Sequence, residues 1–247
     1  MSEAEAERGG AQLIPRPPSA RPGPPAPWAH LDEQERHIDL SRVLAAMRHA
    51  AAPRPSPWEP PVGALRSAVL VPLFEEDGSA WVVLTRRSQH VRAHKGEVSF
   101  PGGRQDPEET LMDAALREAR EEIALDTDVV EIVGELDHLA TVSSNSSIVP
   151  YVGVLPYRPV RLVPNPAEVD AVLMVALDEL VRDDVFRTEL WQWPEGLPGG
   201  PNADEPAALA AERPIHFFEL HGDTIWGATA RMLVNLLALT LGVEHPG

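Results

Sequence analysis

Apolar residues in the middle of the chain form short runs that are typical of β-strands. Residues 67–74 (SAVLVPLF) and 80–85 (AWVVLT) are rich in β-branched and aromatic side chains, and the acidic turn at residues 75–78 between them predicts a hairpin. Similar runs predict further strands at residues 97–100, 129–139, 148–156, 171–175 and 216–220. The pattern therefore predicts a mixed sheet as the centre of the domain.

Apolar positions spaced by three and four residues predict the helices. The clearest helix follows the diglycine at residues 102–103 and carries an apolar stripe formed by Met112, Ala115, Leu116, Ala119 and Ile123. Asp106 or Thr110 would cap its first turn. Weaker helical patterns cover residues 33–50, 177–181 and 224–241. Helices on both sides of the sheet would bury its two faces.

The first part of the chain has a different composition. Residues 1 to about 30 are rich in proline and carry almost no periodic apolar positions, and a second proline cluster lies at residues 53–61. This pattern predicts residues 1–61 to be a disordered or polyproline-like tail with one helix and a linker, followed by one domain at residues 62–244. Residues 194–214, rich in proline, glycine and alanine, are expected to form a loop or a lid.

Three glutamates on the diglycine-led helix point to metal binding. Glu118, Glu121 and Glu122 stand at positions i, i+3 and i+4, so they share one helical face. Like charges at this spacing destabilise a helix by roughly 0.2–0.5 kcal/mol per pair, and the helix C-terminus also disfavours anions. A solvated acidic face is the simpler explanation for such a cluster alone. The diglycine turn and Glu109 at a fixed spacing favour a site for a hard divalent cation instead.

The same stretch resembles the signature of the Nudix hydrolases, which reads Gly-x5-Glu-x7-Arg-Glu-(aliphatic)-x-Glu-Glu-x-Gly-(aliphatic). The matching positions are Gly103, Glu109, Arg117, Glu118, Glu121, Glu122 and Leu125. Two positions differ from the signature. Ala119 is a small version of the aliphatic residue, and Ala124 replaces the closing glycine, where a left-handed backbone is often needed.

This resemblance implies both a fold and a site. The fold would be of the α/β class, a Nudix-type α/β/α sandwich with a mixed sheet and, here, a proline-rich N-terminal extension. The ligands of Mg²⁺ (or Mn²⁺) would be Glu118, Glu121, Glu122 and the carbonyl group of Gly102. Arg117 would orient a glutamate and Glu109 would secure the turn, while the general base could be Glu121 or Glu168.

A second motif, immediately upstream, concerns the substrate. The chain follows the pattern LLTxRSx3Rx3Gx3FPGG at residues 84–88, Arg92, Gly96 and residues 100–103, with Val83 in place of the first leucine. It resembles the coenzyme A pyrophosphatase branch of the Nudix family, as does the segment IWGATARML at residues 225–233. Arg87, Arg92 and Lys95, the only lysine in the chain, are the candidates for binding substrate phosphates, because guanidinium and ammonium groups pair with phosphate oxygens.

The substrate implied is coenzyme A or one of its thioesters, cleaved to 3′,5′-ADP and the phosphopantetheine part. Two alternatives remain open. One is a Nudix hydrolase for another nucleoside diphosphate derivative, such as ADP-ribose, NADH or a dinucleoside polyphosphate. The other is a catalytically silent nucleotide-binding module, which the presence of all three glutamates disfavours.

The composition of the chain argues against several other classes of function. The chain of 247 residues has a formal net charge of −17 and no basic stripe, so binding to nucleic acid is not expected. There is no cysteine, which excludes thiolate metal sites and cysteine nucleophiles. No apolar run reaches membrane length, and no signal peptide is apparent, so we expect a cytoplasmic protein that does not insert into membranes. The family resemblance also makes a homodimer possible, but no residue pattern in the chain indicates one.

Overall fold

The computed structural model describes residues 8–56, 63–91, 94–141, 145–192 and 212–244. Its helices are α1 (Leu40–His49), α2 (Leu111–Ile123), α3 (Leu177–Leu180) and α4 (Gly227–Leu241). Its strands are β1 (Gly9–Gly10), β2 (Arg21–Pro22), β3 (Leu65–Glu76), β4 (Ser79–Arg87), β5 (Val98–Ser99), β6 (Gly102–Arg104), β7 (Glu131–Glu135), β8 (Leu139–Thr141), β9 (Ser146–Val154), β10 (Val169–Ala176), β11 (Phe186–Trp191), β12 (Arg213–Glu219), β13 (His221–Gly222) and β14 (Thr224–Trp226).

The centre of the fold is a mixed sheet with the strand order β10-β4-β3-β9-β7. Strand β3 runs parallel to β9 and antiparallel to β4, and the short strands β5, β6 and β8 extend the sheet at one end. The predicted hairpin is the β3–β4 pair, joined by a tight turn in which Asp77 and Gly78 both have positive φ. The structure thus confirms the predicted mixed sheet.

Alternation along β3 explains why helices cover both faces of this sheet. Ala68, Leu70 and Phe74 belong to the apolar core that includes α2, whereas Val71 and Leu73 belong to the core that includes α1 and α4. Successive side chains of a strand point to opposite faces, so a strand that is apolar at nearly every position must be covered twice. The predicted α/β/α sandwich is therefore confirmed.

A second sheet packs on the α4 side and has the order β14-β12-β11-β2. Its strand β11 was not predicted, because its sequence FRTELW mixes apolar and charged residues. Residues 224–226 form strand β14, so the helix predicted at residues 224–241 begins only at Gly227. The predicted loop or lid at residues 194–214 falls largely outside the described residues.

The N-terminal segment differs most from its prediction. Strand β1 pairs in parallel with β13, and β2 pairs with β11. Trp28 is fully buried and lies 4.9 Å, between ring centroids, from Phe186. Residues 8–30 are therefore packed on the second sheet, and the expectation of a disordered or polyproline-like tail is wrong for them. The helix expected at residues 33–50 is the shorter α1, and the domain boundary at residues 61/62 stays a prediction.

Helix α2 begins and ends as its sequence requires, with one strained position. Thr110 caps its start and forms a capping box with Asp113. Ala115, Ala119 and Ile123 are buried, but Met112 is exposed, so the predicted apolar stripe is wrong at that position. The helix ends at Ala124, whose φ of 52° and ψ of 34° are left-handed.

Replacing Ala124 by glycine will stabilise the protein. A Cβ in the left-handed region costs about 1–2 kcal/mol, of which glycine's greater freedom in the unfolded chain offsets a part. We expect a net gain of about 1 kcal/mol, or a Tm increase of about 2–4 °C for a chain of this size. Ala50, the C-cap residue of α1 at φ −58° and ψ 140°, is the matched control, and its change to glycine will give no increase in Tm. Equal shifts for the two variants would contradict the strain at Ala124.

None of the helices in the described parts of the chain is long and apolar enough to cross a membrane.

Candidate metal and phosphate site

The diglycine turn lets helix α2 approach the sheet closely. Gly102 and Gly103 belong to β6 and pair with Val69 and Ala68 of β3. A Cβ atom added to Gly102 would collide with the backbone of Ala68, and one added to Gly103 would overlap the carboxylate of Glu118. The backbone of β3 therefore requires glycine at position 102, whereas a side chain at position 103 would push the Glu118 carboxylate away from its place beside the turn.

Three carboxylates converge beside this turn. Ligand oxygens of Glu118, Glu122 and Glu168 all lie within 4.8 Å of one another. The side chain of Glu122 is 3% exposed, and its Oε2 accepts a hydrogen bond of 3.2 Å from the amide of Gly102. Hard divalent cations such as Mg²⁺ and Mn²⁺ prefer oxygen ligands of this kind, so the three residues fit such an ion.

The electrostatics of the group favour a bound cation. Burial raises the pKa of Glu122 to about 8, against the opposing effects of the Gly102 amide and Arg87. Burial also raises the pKa of Glu118, while Arg117 opposes the shift. The neighbouring Glu168 carboxylate also raises the pKa of both groups. Without a cation, these carboxylates hold protons at pH values where ordinary glutamates are ionised, and a divalent ion would relieve the repulsion.

The loop that carries Glu168 is tied to the end of α2 by its backbone. The carbonyl group of Ile123 accepts from the Val163 amide at 2.9 Å, and that of Glu122 accepts from the Asn165 amide at 2.8 Å. The Glu168 carbonyl then accepts from Ser88 at 2.8 Å, just past β4. The last carbonyls of a helix lack partners within it, and here they position the third carboxylate.

Arg117 holds the acidic residues around the turn in place. Its guanidinium donates to both carboxylate oxygens of Glu109, at 2.8 and 3.1 Å, and to the Arg104 carbonyl at 3.0 Å. It also donates to Glu118 at 3.0 Å and to Glu121 at 3.2 Å. The roles predicted for Arg117 and Glu109 agree with this geometry, but the structure does not test them in catalysis.

Glu121 lies outside the carboxylate group that the sequence predicts it to join. Its side chain is 58% exposed and is turned towards Arg117. The structure places Glu168 beside Glu118 and Glu122 instead. Glu168 follows a proline-rich loop far along the chain, so helical spacing does not predict it as a ligand. The sequence suggested Glu168 only as a candidate general base. For Gly102, the structure shows an amide contact to Glu122, and the predicted role of its carbonyl group stays a prediction.

Among the predicted phosphate-binding residues, Arg87 has the clearest position. One of its terminal nitrogens lies 3.9 Å from Glu122 Oε1, and its Nε is buried without a hydrogen-bond partner among the described residues. Lys95 is exposed in the turn before β5. Arg92 lies outside the described residues. The Arg87 side chain as a whole is 29% exposed, so its guanidinium can face an anion beside the carboxylates.

Arg86 connects this end of β4 to the N-terminal segment. It pairs with Asp170 at 3.1 Å and with the buried Asp223 at 3.1 Å. Asp223 also accepts from the Gln12 side chain at 2.8 Å. Neither Asp223 nor Gln12 belongs to a recognisable motif, so sequence reasoning missed both of them.

Comparisons with known proteins agree with this site. A family model described as NUDIX domain matches residues 64–195, more than half of the chain. The chain is 44% identical over 117 residues to "Nudix hydrolase 3" of Caenorhabditis elegans, covering 47% of this chain and 49% of that protein. It is 35% identical over 190 residues to "Nudix hydrolase 22, chloroplastic" of Arabidopsis thaliana, covering 73% and 56%.

A further relative aligns over most of its length. The chain is 31% identical over 184 residues to "Uncharacterized Nudix hydrolase NudL" of Yersinia enterocolitica, covering 74% of this chain and 85% of that protein. By contrast, the chain spans about half the length of the C. elegans and A. thaliana relatives. The matched region includes the diglycine turn, α2 and the loop that carries Glu168. This chain belongs to the Nudix family.

Proposed function

We propose that the protein hydrolyses the diphosphate bond of coenzyme A or its thioesters, giving 3′,5′-ADP and (acyl-)4′-phosphopantetheine. The hydrolase part is supported by the convergence of the Glu118, Glu122 and Glu168 carboxylates, with the Arg87 guanidinium 3.9 Å from Glu122. Nudix hydrolases generally use divalent metal ions. Such an ion, Mg²⁺ or Mn²⁺ here, would supply an activated water and neutralise charge on the leaving phosphate.

The chain's own residues would have distinct tasks. Glu118, Glu122 and Glu168 would hold the ion, and the Gly102 amide fixes the rotamer of Glu122. Arg117 acts through Glu118 as a positioning residue, since it binds that carboxylate and the Arg104 backbone together. Arg87, whose side chain is 29% exposed, would bind a phosphate oxygen through its guanidinium. Glu121, exposed at the rim, is left as a candidate general base.

The coenzyme A assignment is supported by the segment LTRRS…FPGG, which delivers Arg87 and the diglycine turn to one place. The alternative is another nucleoside diphosphate derivative, such as ADP-ribose, NADH or a dinucleoside polyphosphate. The names of the relatives specify no substrate. Two of the A. thaliana relatives are named chloroplastic and mitochondrial, so the cytoplasmic location stays a prediction.

A substrate panel tests the proposal. Purified protein is incubated with coenzyme A, acetyl-coenzyme A, ADP-ribose, NADH and diadenosine tetraphosphate in Mg²⁺ or Mn²⁺, and products are separated by chromatography. We expect the highest kcat/KM for coenzyme A or its thioester, with 3′,5′-ADP as the nucleotide product. Much faster cleavage of ADP-ribose would overturn the substrate and leave the reaction class standing. No metal-dependent cleavage of any member would overturn the reaction class.

Changing Arg117 to lysine will weaken metal binding. Lysine keeps the positive charge but cannot reach Glu109, Glu118 and the Arg104 carbonyl at once, because it lacks the planar fork. Loss of a residue that orients a metal ligand costs about 10–100-fold in metal affinity or activity. We expect a shift of that size in the Mg²⁺ concentration that gives half-maximal rate.

Arg120 is the matched control for Arg117. It lies on the same helix, is 59% exposed and pairs only with Asp128 and Thr127 among the described residues. Its change to lysine will leave the Mg²⁺ requirement unchanged. If both lysine variants behave alike, Arg117 contributes nothing specific to the metal site.

A further inference from the structure

Three consecutive residues at and just past the end of β4 contact the metal site or its support. The Arg87 guanidinium lies 3.9 Å from Glu122, and the Ser88 amide donates to the Glu168 carbonyl at 2.8 Å. Arg86 lies on the opposite face of the sheet from Arg87, because successive side chains of a strand alternate. The end of β4 therefore makes contacts on both faces of the sheet beside the carboxylates.

Asp170 is the extra residue of a β-bulge at the start of β10. The residues on either side of it pair with two consecutive residues of β4. Without the bulge Val169 would face the other side of the sheet, since a shift of one residue exchanges the two faces. Val169 is instead buried in the core that includes α2. The bulge therefore sets where the chain enters β10 from Glu168, the residue before Val169.

The Arg86 guanidinium binds the bulge to the second sheet. Its Nε donates to Asp170 Oδ2 at 3.1 Å, and its Nη1 donates to the two Asp223 carboxylate oxygens at 3.1 and 3.3 Å. Asp170 is 56% exposed, and an exposed ion pair alone would hold the bulge weakly. Asp223 is only 6% exposed, and a buried carboxylate requires its partner to stay in place. Asp223 therefore fixes the guanidinium that reaches the bulge.

The N-terminal segment supplies a second partner for Asp223. The Gln12 side chain donates to Asp223 Oδ1 at 2.8 Å and accepts from the Thr224 amide at 2.9 Å. The Gly10 amide donates to Thr224 Oγ1 at 3.0 Å, and a Cβ atom at Gly10 would collide with the backbone of Asp223. This close approach of two backbone segments brings the Gln12 amide group onto the buried carboxylate.

Two of these residues lie outside the region that matches the family. The family model covers residues 64–195, which include Arg86 and Asp170 but neither Gln12 nor Asp223. The chain of contacts that ends next to Glu168 therefore begins in parts of the molecule that the family model does not match.

We propose that three residues hold Glu168 in its place in the metal site through the bulge at Asp170: Gln12, Asp223 and Arg86. They are positioning residues, since each acts through another residue. The N-terminal segment would thereby raise the affinity of the site for a divalent cation. This inference rests on the proposed function for the role of Glu168 as a metal ligand, and it does not depend on the substrate.

Metal binding without substrate tests the positioning role. The Mn²⁺ Kd is measured from the electron paramagnetic resonance signal of the free ion for the wild type, Asp223→Asn and Gln12→Ala. Asparagine keeps the shape of the side chain and removes the charge that holds Arg86, so we expect the Kd to rise about 10-fold, as for other residues that orient a metal ligand. Gln12→Ala keeps the buried ion pair and will give a smaller rise, and it tests the proposal even if Asp223→Asn folds poorly. An unchanged Kd in both variants would overturn the proposal.

A Glu168→Gln background separates positioning from a general loss of structure. If Asp223 acts through Glu168, Asp223→Asn will not weaken Mn²⁺ binding further once the Glu168 carboxylate is gone. An equal rise in Kd in both backgrounds would show that the effect does not pass through Glu168, and the positioning role would be wrong.

Glu189 is the matched control for Asp223. It is 7% exposed on β11 and pairs with Arg16 of the same N-terminal segment at 2.8 Å. Among the described residues its ion pairs are with Arg16 and Arg187, and neither lies on β4 or β10. Glu189→Gln will lower the Tm and leave the Mn²⁺ Kd unchanged. A rise in Kd as large as that of Asp223→Asn would mean that any loosening of the segment weakens metal binding, which contradicts a specific role of Asp223.

Hydrolysis assays then distinguish this inference from the proposed function. A wild type that binds Mn²⁺ with the expected dependence on Asp223 but cleaves no diphosphate would overturn the proposed function alone. An active wild type whose Mn²⁺ Kd does not change in Asp223→Asn or Gln12→Ala would overturn the positioning role alone. A wild type that binds no Mn²⁺ would overturn both.

Discussion

Replacing Glu122 by glutamine will abolish most metal-dependent hydrolysis without loosening the metal-free fold. A bound divalent ion contributes several kcal/mol to stabilising the transition state, and each 1.36 kcal/mol is tenfold in rate, so kcat will fall about 100-fold or more. The metal-free protein will tolerate the change, because burial raises the pKa of Glu122 to about 8 and glutamine resembles the neutral acid. Its side-chain oxygen can still accept from the Gly102 amide.

Two measurements together test Glu122: the rate on the best substrate and the Tm with and without Mg²⁺. The wild type will gain stability from Mg²⁺ and Glu122→Gln will not, although their metal-free Tm values will agree. A variant that keeps full activity and the Mg²⁺-induced Tm increase would show that the ion is held elsewhere.

Glu121 and Glu168 are matched comparisons for the third ligand. Glu168→Gln will reduce the Mg²⁺-induced Tm increase, because its carboxylate belongs to the convergent group. Glu121→Gln will leave that increase unchanged, since its side chain is 58% exposed and turned to Arg117. The opposite result would restore the ligand set implied by the family signature.

Site residues that lie close together in the sequence could be predicted from it, whereas a residue from a distant loop could not. The positions of Glu118 and Glu122 on one face follow from the helical period alone. Gly102 is needed because the β3 backbone lies against it, and Gly103 leaves room for the Glu118 carboxylate. The third carboxylate of the group comes from a loop about 45 residues further on, which the carbonyls of α2 hold in place through backbone amides. The spacing of residues along the sequence does not predict a contact of this kind.

The same distinction applies to the fold. Strands β3 and β4 were predictable because apolar residues occupy nearly all their positions, as burial on two faces requires. Strand β11 was not, because charged residues such as Arg187 and Glu189 interrupt its pattern; they are paired with each other in the structure. The N-terminal segment holds to the second sheet through backbone groups, such as the Gly23 amide donating to the Thr188 carbonyl at 2.8 Å, and these leave no periodic signal.

Changing Trp28 to alanine will test whether the proline-rich segment is part of the folded domain. Trp28 is fully buried and belongs to the same apolar core as Phe186 and Phe218. Truncation of a buried tryptophan costs about 3–5 kcal/mol, which for a chain of this size lowers the Tm by roughly 10 °C. Leu13, 88% exposed in the same segment, is the matched control, and Leu13→Ala will leave the Tm unchanged. If the Trp28→Ala protein kept the wild-type Tm, the segment would not be part of the folded domain.

Trp28→Phe separates packing from hydrogen bonding at this position. The indole Nε1 of Trp28 is buried and has no hydrogen-bond partner within the part of the chain that the structure describes. An unsatisfied donor of this kind costs about 1–3 kcal/mol. Phenylalanine removes that donor and keeps most of the ring contact with Phe186, so the two effects nearly offset each other. We expect a Tm much closer to that of the wild type than to that of Trp28→Ala. An equally large loss in both variants would mean that the full indole volume, rather than aromatic burial in general, fixes the N-terminal segment to the sheet.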